Sequence, residues 1–212
     1  MRKFLVLDIE TSNLDMDVDG LTFDNPKGWI TSCVGIYDIW EGEERGSSYY
    51  YTSETNIITD YNLRSMDTLK ENLESYYERG YYILTKNGKS FDLPILSKTL
   101  ENGGAGIKDI INKYESSDRH IDICLLLREQ YGYRFSLQNL VKGLYGDQDS
   151  KSMAASHAPK AWADGKYKEV LDYCMHDCIL TYNVFSDAPY QSFEAVGYNG
   201  QRSKKHQLKV NW

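Results

Sequence analysis

The chain has 212 residues, of which 41% are hydrophobic, and a formal net charge of -7. This length and apolar content suffice for one α/β domain with a sizeable core and are short for two. The negative charge excludes a broadly basic nucleic-acid coat but not a nucleic-acid enzyme, because bound divalent cations would offset acidic groups locally.

The cellular location is predicted from what the sequence lacks. No stretch approaches the ~20 apolar residues of a membrane span, and the N-terminus MRKFLVLDIE turns acidic too early for a signal peptide. The four cysteines are scattered through apolar segments rather than clustered as in a secreted disulfide scaffold. We therefore expect a cytoplasmic protein without a membrane partner.

The first predicted element is a strand, FLVLDIE (residues 4–10), followed by an acidic segment from Ser12 to Gly28. Strand alternation places Phe4, Val6, Asp8 and Glu10 on one face and Leu5, Leu7 and Ile9 on the other. Both carboxylates therefore emerge on the same side, at the strand end where open α/β sheets tend to place ligands. The alternative is an ordinary strand that runs into an acidic turn.

Two further strands, a helix and a fourth strand are predicted next. ITSCVGIYDIW (residues 30–40) and SSYYYTS (residues 47–53) have strand composition and are joined by a charged turn. Residues 66–79 have apolar side chains at helical spacing, and YYILTK (residues 81–86) is again strand-like.

Asp92 lies at the start of the next predicted helix, LPILSKTLENGG, which Gly103 and Gly104 would end. Asp is common near the first helical turn simply as a cap, and the proline at position 94 is tolerated there. Capping is therefore a serious alternative for this residue.

The remaining elements are largely helical. HIDICLLLREQYG (residues 120–132) mixes strand and helix signals, and SLQNLVKGLYG is a short helix with Ser136 as its N-cap. Residues 166–185 form the last clear helix. Strands followed by alternating helices predict an α/β fold with a mixed sheet flanked by helices.

Within that last helix, Asp177 occupies a position where a core helix would prefer an apolar residue. Tyr173 lies one turn earlier, so its phenol and the Asp177 carboxylate point to the same region. The alternative places Tyr173 in the core and Asp177 at its solvent edge.

Together, four carboxylates interrupt segments that otherwise resemble protein core: Asp8, Glu10, Asp92 and Asp177. A buried carboxylate normally shifts its pKa, pairs with a cation or binds a metal. The sequence therefore predicts a shared site for divalent ions.

The three segments resemble exonuclease motifs I, II and III of the DEDD superfamily of 3′–5′ exonucleases, which have a ribonuclease H-like fold. The matching residues are Asp8, Glu10, Thr11 and Leu14 in motif I, Asn87, Phe91 and Asp92 in motif II, and Tyr173 and Asp177 in motif III. Tyr173 matches the tyrosine (DEDDy) branch, which includes the proofreading domains of family A and B DNA polymerases. The histidine branch has its base five residues before the last aspartate, where this chain has Asp172.

The resemblance implies a ribonuclease H-like domain over residues 1–190 and a basic tail over residues 191–212. Its basic segment QRSKKHQLK (residues 201–209) could contact a nucleic-acid backbone or be a disordered end, and disorder is favoured. The implied cofactors are two Mg²⁺ or Mn²⁺ ions. Asp8, Glu10, Asp92 and Asp177 would be the metal ligands, and Tyr173 would orient the attacking water. Thr11, Leu14, Asn87 and Phe91 would contact the substrate, although core packing is an equal alternative for Leu14 and Phe91.

The implied activity is hydrolysis of phosphodiester bonds from the 3′ end of single-stranded DNA, with release of nucleoside monophosphates. An exoribonuclease acting on RNA is the nearest alternative. A catalytically inert module that binds nucleic acid or a polymerase is a further one, which the retained acidic residues argue against. A separate polymerase is a candidate partner, because too few residues remain here for a polymerase domain.

Overall fold

The computed structural model describes residues 1–13, 28–54, 57, 61–101, 107–146, 153, 155–198, 205–209 and 212. The strands of this part are β1 (Lys3–Thr11), β2 (Thr31–Trp40), β3 (Ser47–Thr52), β4 (Leu63–Ser65), β5 (Tyr82–Thr85), β6 (His120–Asp122), β7 (Arg134–Phe135), β8 (Phe193–Tyr198) and β9 (Lys205–Leu208). Its α-helices are α1 (Leu69–Glu78), α2 (Asp92–Glu101), α3 (Ile107–Ser116), α4 (Ile123–Tyr131), α5 (Leu137–Tyr145), α6 (Ala158–Ala163) and α7 (Tyr167–Asp187). None of these helices combines the length and apolarity needed to cross a bilayer.

A six-stranded mixed sheet in the order β4-β3-β2-β1-β5-β6 forms the centre of the molecule. Its central strand, β1, pairs antiparallel with β2 and parallel with β5. Outer strands β4 and β6 are each parallel to their neighbours. This helix-flanked mixed sheet confirms the predicted α/β, ribonuclease H-like fold class.

Strand β1 is buried on both faces, and its alternation is the one predicted. Phe4 and Val6 belong to a core cluster shared with helices α4 to α7. Leu5, Leu7 and Ile9 belong to a second cluster shared with α1, α2 and α3. Because apolar side chains fill both faces along most of the strand, its polar end is held rigidly between two cores.

Helix α7 approaches the sheet closely at Gly35 of β2. A Cβ atom at position 35 would lie 2.9 Å from the Cys174 Sγ and 3.3 Å from the Cys178 Sγ, so glycine is required for this packing. Both thiols are fully buried, with Sγ–oxygen distances of 3.5 Å to the carbonyls of Asp8 and Gly35, respectively. This contact places the motif III helix directly over the end of β1.

The other predicted elements agree with the structure, which also contains strands β4, β7, β8 and β9 that were not predicted. The mixed signals of residues 120–132 arise because β6 leads directly into α4. Ser136 is the N-cap of α5, its Oγ accepting from the Asn139 N–H at 3.1 Å. Helices α3 and α6 were not predicted from the sequence. Gly103, Gly104, Leu14 and the central part of the acidic segment lie outside the described residues.

Part of the segment predicted as a basic tail is ordered. Strand β8 pairs antiparallel with β7 and with β9, and Phe193 and Ala195 of β8 are buried in the core. The favoured interpretation of residues 201–209 as a disordered end is therefore wrong for residues 205–208. These residues pair with β8, whose alternating apolar residues give that strand a buried face.

Candidate active site

The carboxylates of Asp8 and Glu10 lie at the C-terminal end of β1. Asp8 is half-buried, whereas Glu10 is only 8% exposed. One carboxylate oxygen of each and the Cys174 Sγ all lie within 4.8 Å of one another. A shift in the β1–β2 register occurs between Glu10 and Thr11, and bulges of this kind are frequent next to active sites.

Asp92, the first residue of α2, contacts this strand end directly. Its Oδ1 accepts a hydrogen bond at 3.3 Å from the N–H of Ile9, the residue between Asp8 and Glu10. The side chain is buried, and burial raises the pKa of Asp92 to about 7, with a further increase from the negative charge of Asp122. The Ile9 N–H and the Lys86 ammonium oppose this increase. Motifs I and II therefore meet through one backbone hydrogen bond.

Helix α7 contributes Tyr173 and Asp177, both of them buried. Burial raises the pKa of Tyr173 far above its usual range, and the negative charges of Asp177, Glu10 and Asp8 add to this increase. A hydrogen bond to the Asp177 carboxylate acts in the same direction. The Tyr173 phenol is therefore a protonated hydrogen-bond donor that lies in the field of three of the four predicted carboxylates.

The predicted substrate-binding residues have different surroundings. Asn87 has a positive φ of 73°, and its Oδ1 is buried without a hydrogen-bond partner within the described part of the chain. Phe91 packs edge-on against Trp29 with ring centroids 5.3 Å apart, which makes it partly a core residue. Thr11 is buried at the end of β1. Leu14 lies outside the described residues.

Two residues at this site were not predicted from the sequence. The Cys174 thiol lies beside the two motif I carboxylates, and its only sequence signal was its place between Tyr173 and Asp177. Asp122 accepts hydrogen bonds from the backbone of the motif II segment. Its signal, an aspartate directly before an apolar helix, indicates only an N-cap.

The donor set suits a hard divalent cation. Mg²⁺ and Mn²⁺ prefer oxygen ligands, and the clustered oxygens of Asp8 and Glu10 supply them. A hydrogen bond from the Cys174 thiol to Cys33, together with burial, holds the pKa of Cys174 well above its usual range, so the thiol is neutral. The Asp92 carboxylate is buried beside this cluster, where a bound cation would oppose the increase in its pKa.

The raised pKa of Asp92 predicts a pH-dependent stability for protein stripped of metal with EDTA. Between about pH 4 and pH 7 the folded state keeps a proton that the unfolded chain has released, so the free energy of unfolding decreases as pH rises. Above this window the buried charge costs on the order of 4 kcal/mol. We expect Asp92→Asn to lack this decrease and to be more stable than the wild type at pH 8.

Urea unfolding of both proteins at about pH 4 and pH 8 measures this difference. Asp164→Asn, which alters an exposed carboxylate bonded to Lys160, is the control and should follow the wild type. Excess Mg²⁺ should reduce the advantage of Asp92→Asn, because a cation stabilises the ionised wild-type carboxylate. Parallel pH dependences for the wild type and Asp92→Asn would contradict the raised pKa.

Comparison with known proteins finds one matching family. Its profile, described as "Predicted 3'-5' exonuclease related to the exonuclease domain of PolB", matches residues 54–195, which is more than half of the chain. The matched region includes Asp92, Tyr173 and Asp177, whereas Asp8 and Glu10 precede it. No curated protein matches the chain.

Proposed function

The chain belongs to the family of predicted 3′-5′ exonucleases related to the exonuclease domain of PolB, and from this we propose that it hydrolyses single-stranded DNA from the 3′ end. The observation that carries the proposal is the convergence of three separate segments at the end of β1. Asp8 and Glu10 lie on β1, Asp92 bonds to the backbone between them, and Tyr173 is in the field of both.

In this proposal, Asp8, Glu10, Asp92 and Asp177 hold two divalent cations, Mg²⁺ or Mn²⁺. When bound, such cations acidify a water molecule and stabilise the charge that develops on the leaving oxygen. The clustered carboxylates of Asp8 and Glu10 support this assignment, because a cation between two close negative charges relieves their repulsion.

Tyr173 is assigned to orient the attacking water. Its phenol keeps its proton and donates it in the hydrogen bond to Asp177, so its oxygen positions the water as an acceptor without removing a proton from it. The water oxygen bonds to the phosphorus of the last phosphodiester as the water releases a proton to solvent, the bond from phosphorus to the 3′ oxygen breaks, and that oxygen takes up a proton from solvent. The products are a nucleoside 5′-monophosphate and a strand with a new 3′ hydroxyl.

Asn87 is assigned to bind the terminal nucleotide of the substrate. Its buried Oδ1 is an acceptor in need of a donor, and a sugar hydroxyl of the substrate supplies one. Thr11 and Phe91 flank the same strand end and are assigned to the nucleotide pocket. Leu14 retains the substrate-contact role that the resemblance implies.

The tyrosine branch is supported by the surroundings of Asp172, which stands at the position of the histidine-branch base. Asp172 is exposed and accepts a hydrogen bond from Tyr61 on the outer side of α7. It is therefore not directed at the carboxylate cluster, whereas Tyr173 is.

The test is incubation with single-stranded DNA and RNA labelled at the 3′ or the 5′ end, in Mg²⁺, Mn²⁺ or EDTA. We expect immediate release of a labelled mononucleotide from 3′-labelled DNA, and stepwise shortening of 5′-labelled DNA. EDTA should abolish both, because the carboxylate cluster depends on cations.

Release of mononucleotides from the 5′ end, or cleavage that persists in EDTA, would contradict the proposal. Shortening of RNA but not of DNA would change the substrate to RNA. Addition of a separate polymerase with a mismatched primer terminus tests the proofreading role, which predicts that mismatch removal precedes extension.

A further inference from the structure

We propose that Asp122 is a positioning residue that holds the motif II turn, residues 87–91, in the conformation that presents Asn87 and Asp92 to the active site. The proposal rests on the proposed function. Asp122 lies at the end of β6, is 2% exposed, and directs its carboxylate at this turn from the neighbouring strand.

The carboxylate of Asp122 is bonded to two structural elements at once. Its Oδ1 accepts from the Asn87 N–H at 2.9 Å, and its Oδ2 accepts from the Lys89 N–H at 3.0 Å. Oδ1 also accepts from the N–H groups of Cys124 at 2.9 Å and Leu125 at 3.4 Å, which caps α4. Hydrogen bonds to an ionised acceptor are stronger than neutral ones, so this group is a strong tether between α4 and the turn.

The backbone of the motif II turn is favoured by such a tether. Asn87 has a positive φ, which is uncommon for a residue with a side chain although asparagine adopts it more readily than most, and the Asp122 oxygen bonds to its N–H in this conformation. From Asn87 the turn continues directly into α2, since the N–H of Phe91 bonds to the Asn87 carbonyl at 3.0 Å and the N–H of Leu93 to the Gly88 carbonyl at 3.0 Å. A shift at Asn87 would therefore move Asp92 as well.

The position of Asp122 in the sheet explains how a residue 30 positions after Asp92 in the sequence fixes the position of Asp92. Asp122 is paired in register with Thr85, the last residue of β5, and the turn begins just after that residue. Both strands belong to the central sheet, so the tether fixes the turn to that sheet. Both carboxylate oxygens of Asp122 are occupied by backbone N–H groups.

Two substitutions separate the tether from the helix cap. Asp122→Ser keeps a side-chain acceptor for the N-terminus of α4 but is too short to reach the turn. Asp122→Asn keeps an oxygen in the Oδ1 position and presents an NH₂ donor to the Lys89 N–H, so it removes one bond to the turn. Ser136→Ala is the matched control, because it removes the cap of α5 and touches neither the turn nor the carboxylates.

We expect Asp122→Ser to lower kcat and the affinity for Mn²⁺ about 10- to 100-fold, the usual effect of losing a group that orients metal ligands. Asp122→Asn should show a smaller decrease in both. Ser136→Ala should lower the melting temperature through the loss of one helix cap, yet keep wild-type kcat and Mn²⁺ affinity. Unchanged kcat and Mn²⁺ affinity in Asp122→Ser, or an equal loss of both in Ser136→Ala, would overturn the proposal.

Amide hydrogen exchange tests the role of Asp122 independently of nuclease activity, and so independently of the proposed function. If the wild type lacks nuclease activity, the proposed function fails, but faster exchange at residues 87–91 in Asp122→Ser would still support the tether. Exchange that is unchanged there would overturn it. If Asp122→Ser does not fold, the same measurements are made on Asp122→Asn. Hydrogen exchange and Mn²⁺ affinity equal to those of the wild type in Asp122→Asn would overturn the proposal.

Discussion

Asp8→Ala is expected to lower the rate of 3′ nucleotide release by on the order of 10³-fold, the upper range for removal of one group that stabilises transition-state charge. The reason is the position of Asp8, whose carboxylate clusters with that of Glu10 at the strand end and also contributes to the field at Tyr173. Initial rates on 3′-labelled single-stranded DNA in Mg²⁺ measure the effect. Calorimetric titration with Mn²⁺ should show weaker binding in parallel.

Stability distinguishes loss of the site from loss of the fold. Removing one of two close carboxylates relieves like-charge repulsion, so EDTA-treated Asp8→Ala should unfold at the same urea concentration as the wild type or a higher one. Asp164→Ala is the control, because its carboxylate forms an exposed ion pair with Lys160, and its activity should be unchanged. Nucleotide release by Asp8→Ala at the wild-type rate would refute the assigned role of Asp8.

Tyr173→Phe is expected to lower kcat by about 10²-fold, the lower range for loss of a group that positions or transfers a proton in the transition state. The substitution removes only the hydroxyl from a side chain that is 1% exposed, so the packing around the ring remains. It removes the hydrogen bond to Asp177 but no proposed metal ligand. Mn²⁺ affinity should therefore remain at the wild-type value, and loss of Mn²⁺ binding would contradict the assigned role.

Helix α7 offers a matched control for this substitution. Tyr182 is also buried, and its hydroxyl donates a hydrogen bond at 3.2 Å to the carbonyl of Trp40, away from the carboxylates. Tyr182→Phe should cost similar stability and leave kcat unchanged. Because the pKa of Tyr173 lies far above its usual range, we also expect no inflection from this residue in the wild-type rate between about pH 6 and pH 9.

The sequence predicted those parts of the site that depend on local periodicity. Alternation along β1 places Asp8 and Glu10 on one face, and helical spacing places Tyr173 one turn from Asp177, because each rule involves neighbours within a single element. Asp92 was ambiguous by these rules. As the first residue of a helix it has the sequence signature of a cap, and only its bond to the Ile9 N–H shows that it reaches motif I.

Long-range contacts explain what the sequence did not predict. Asp122 has the local signature of an N-cap, which it is, but its bonds to Asn87 and Lys89 depend on β5 and β6 being adjacent in the sheet. Cys174 similarly reaches Asp8 only because Gly35 lets α7 approach β2 closely. Strand β8 was missed because its pairing partner, β7, precedes it by about 60 residues.

By itself the sequence determined which side chains could perform the chemistry, since acidic residues in otherwise apolar segments are recognisable without coordinates. The tertiary structure decided how these residues are arranged and how they are charged. Burial between two cores sets the pKa values of Asp92 and Tyr173, and the sheet order sets which backbone groups hold Asp92 and Asn87. Both effects arise from groups far apart in the chain, whose proximity no local pattern encodes.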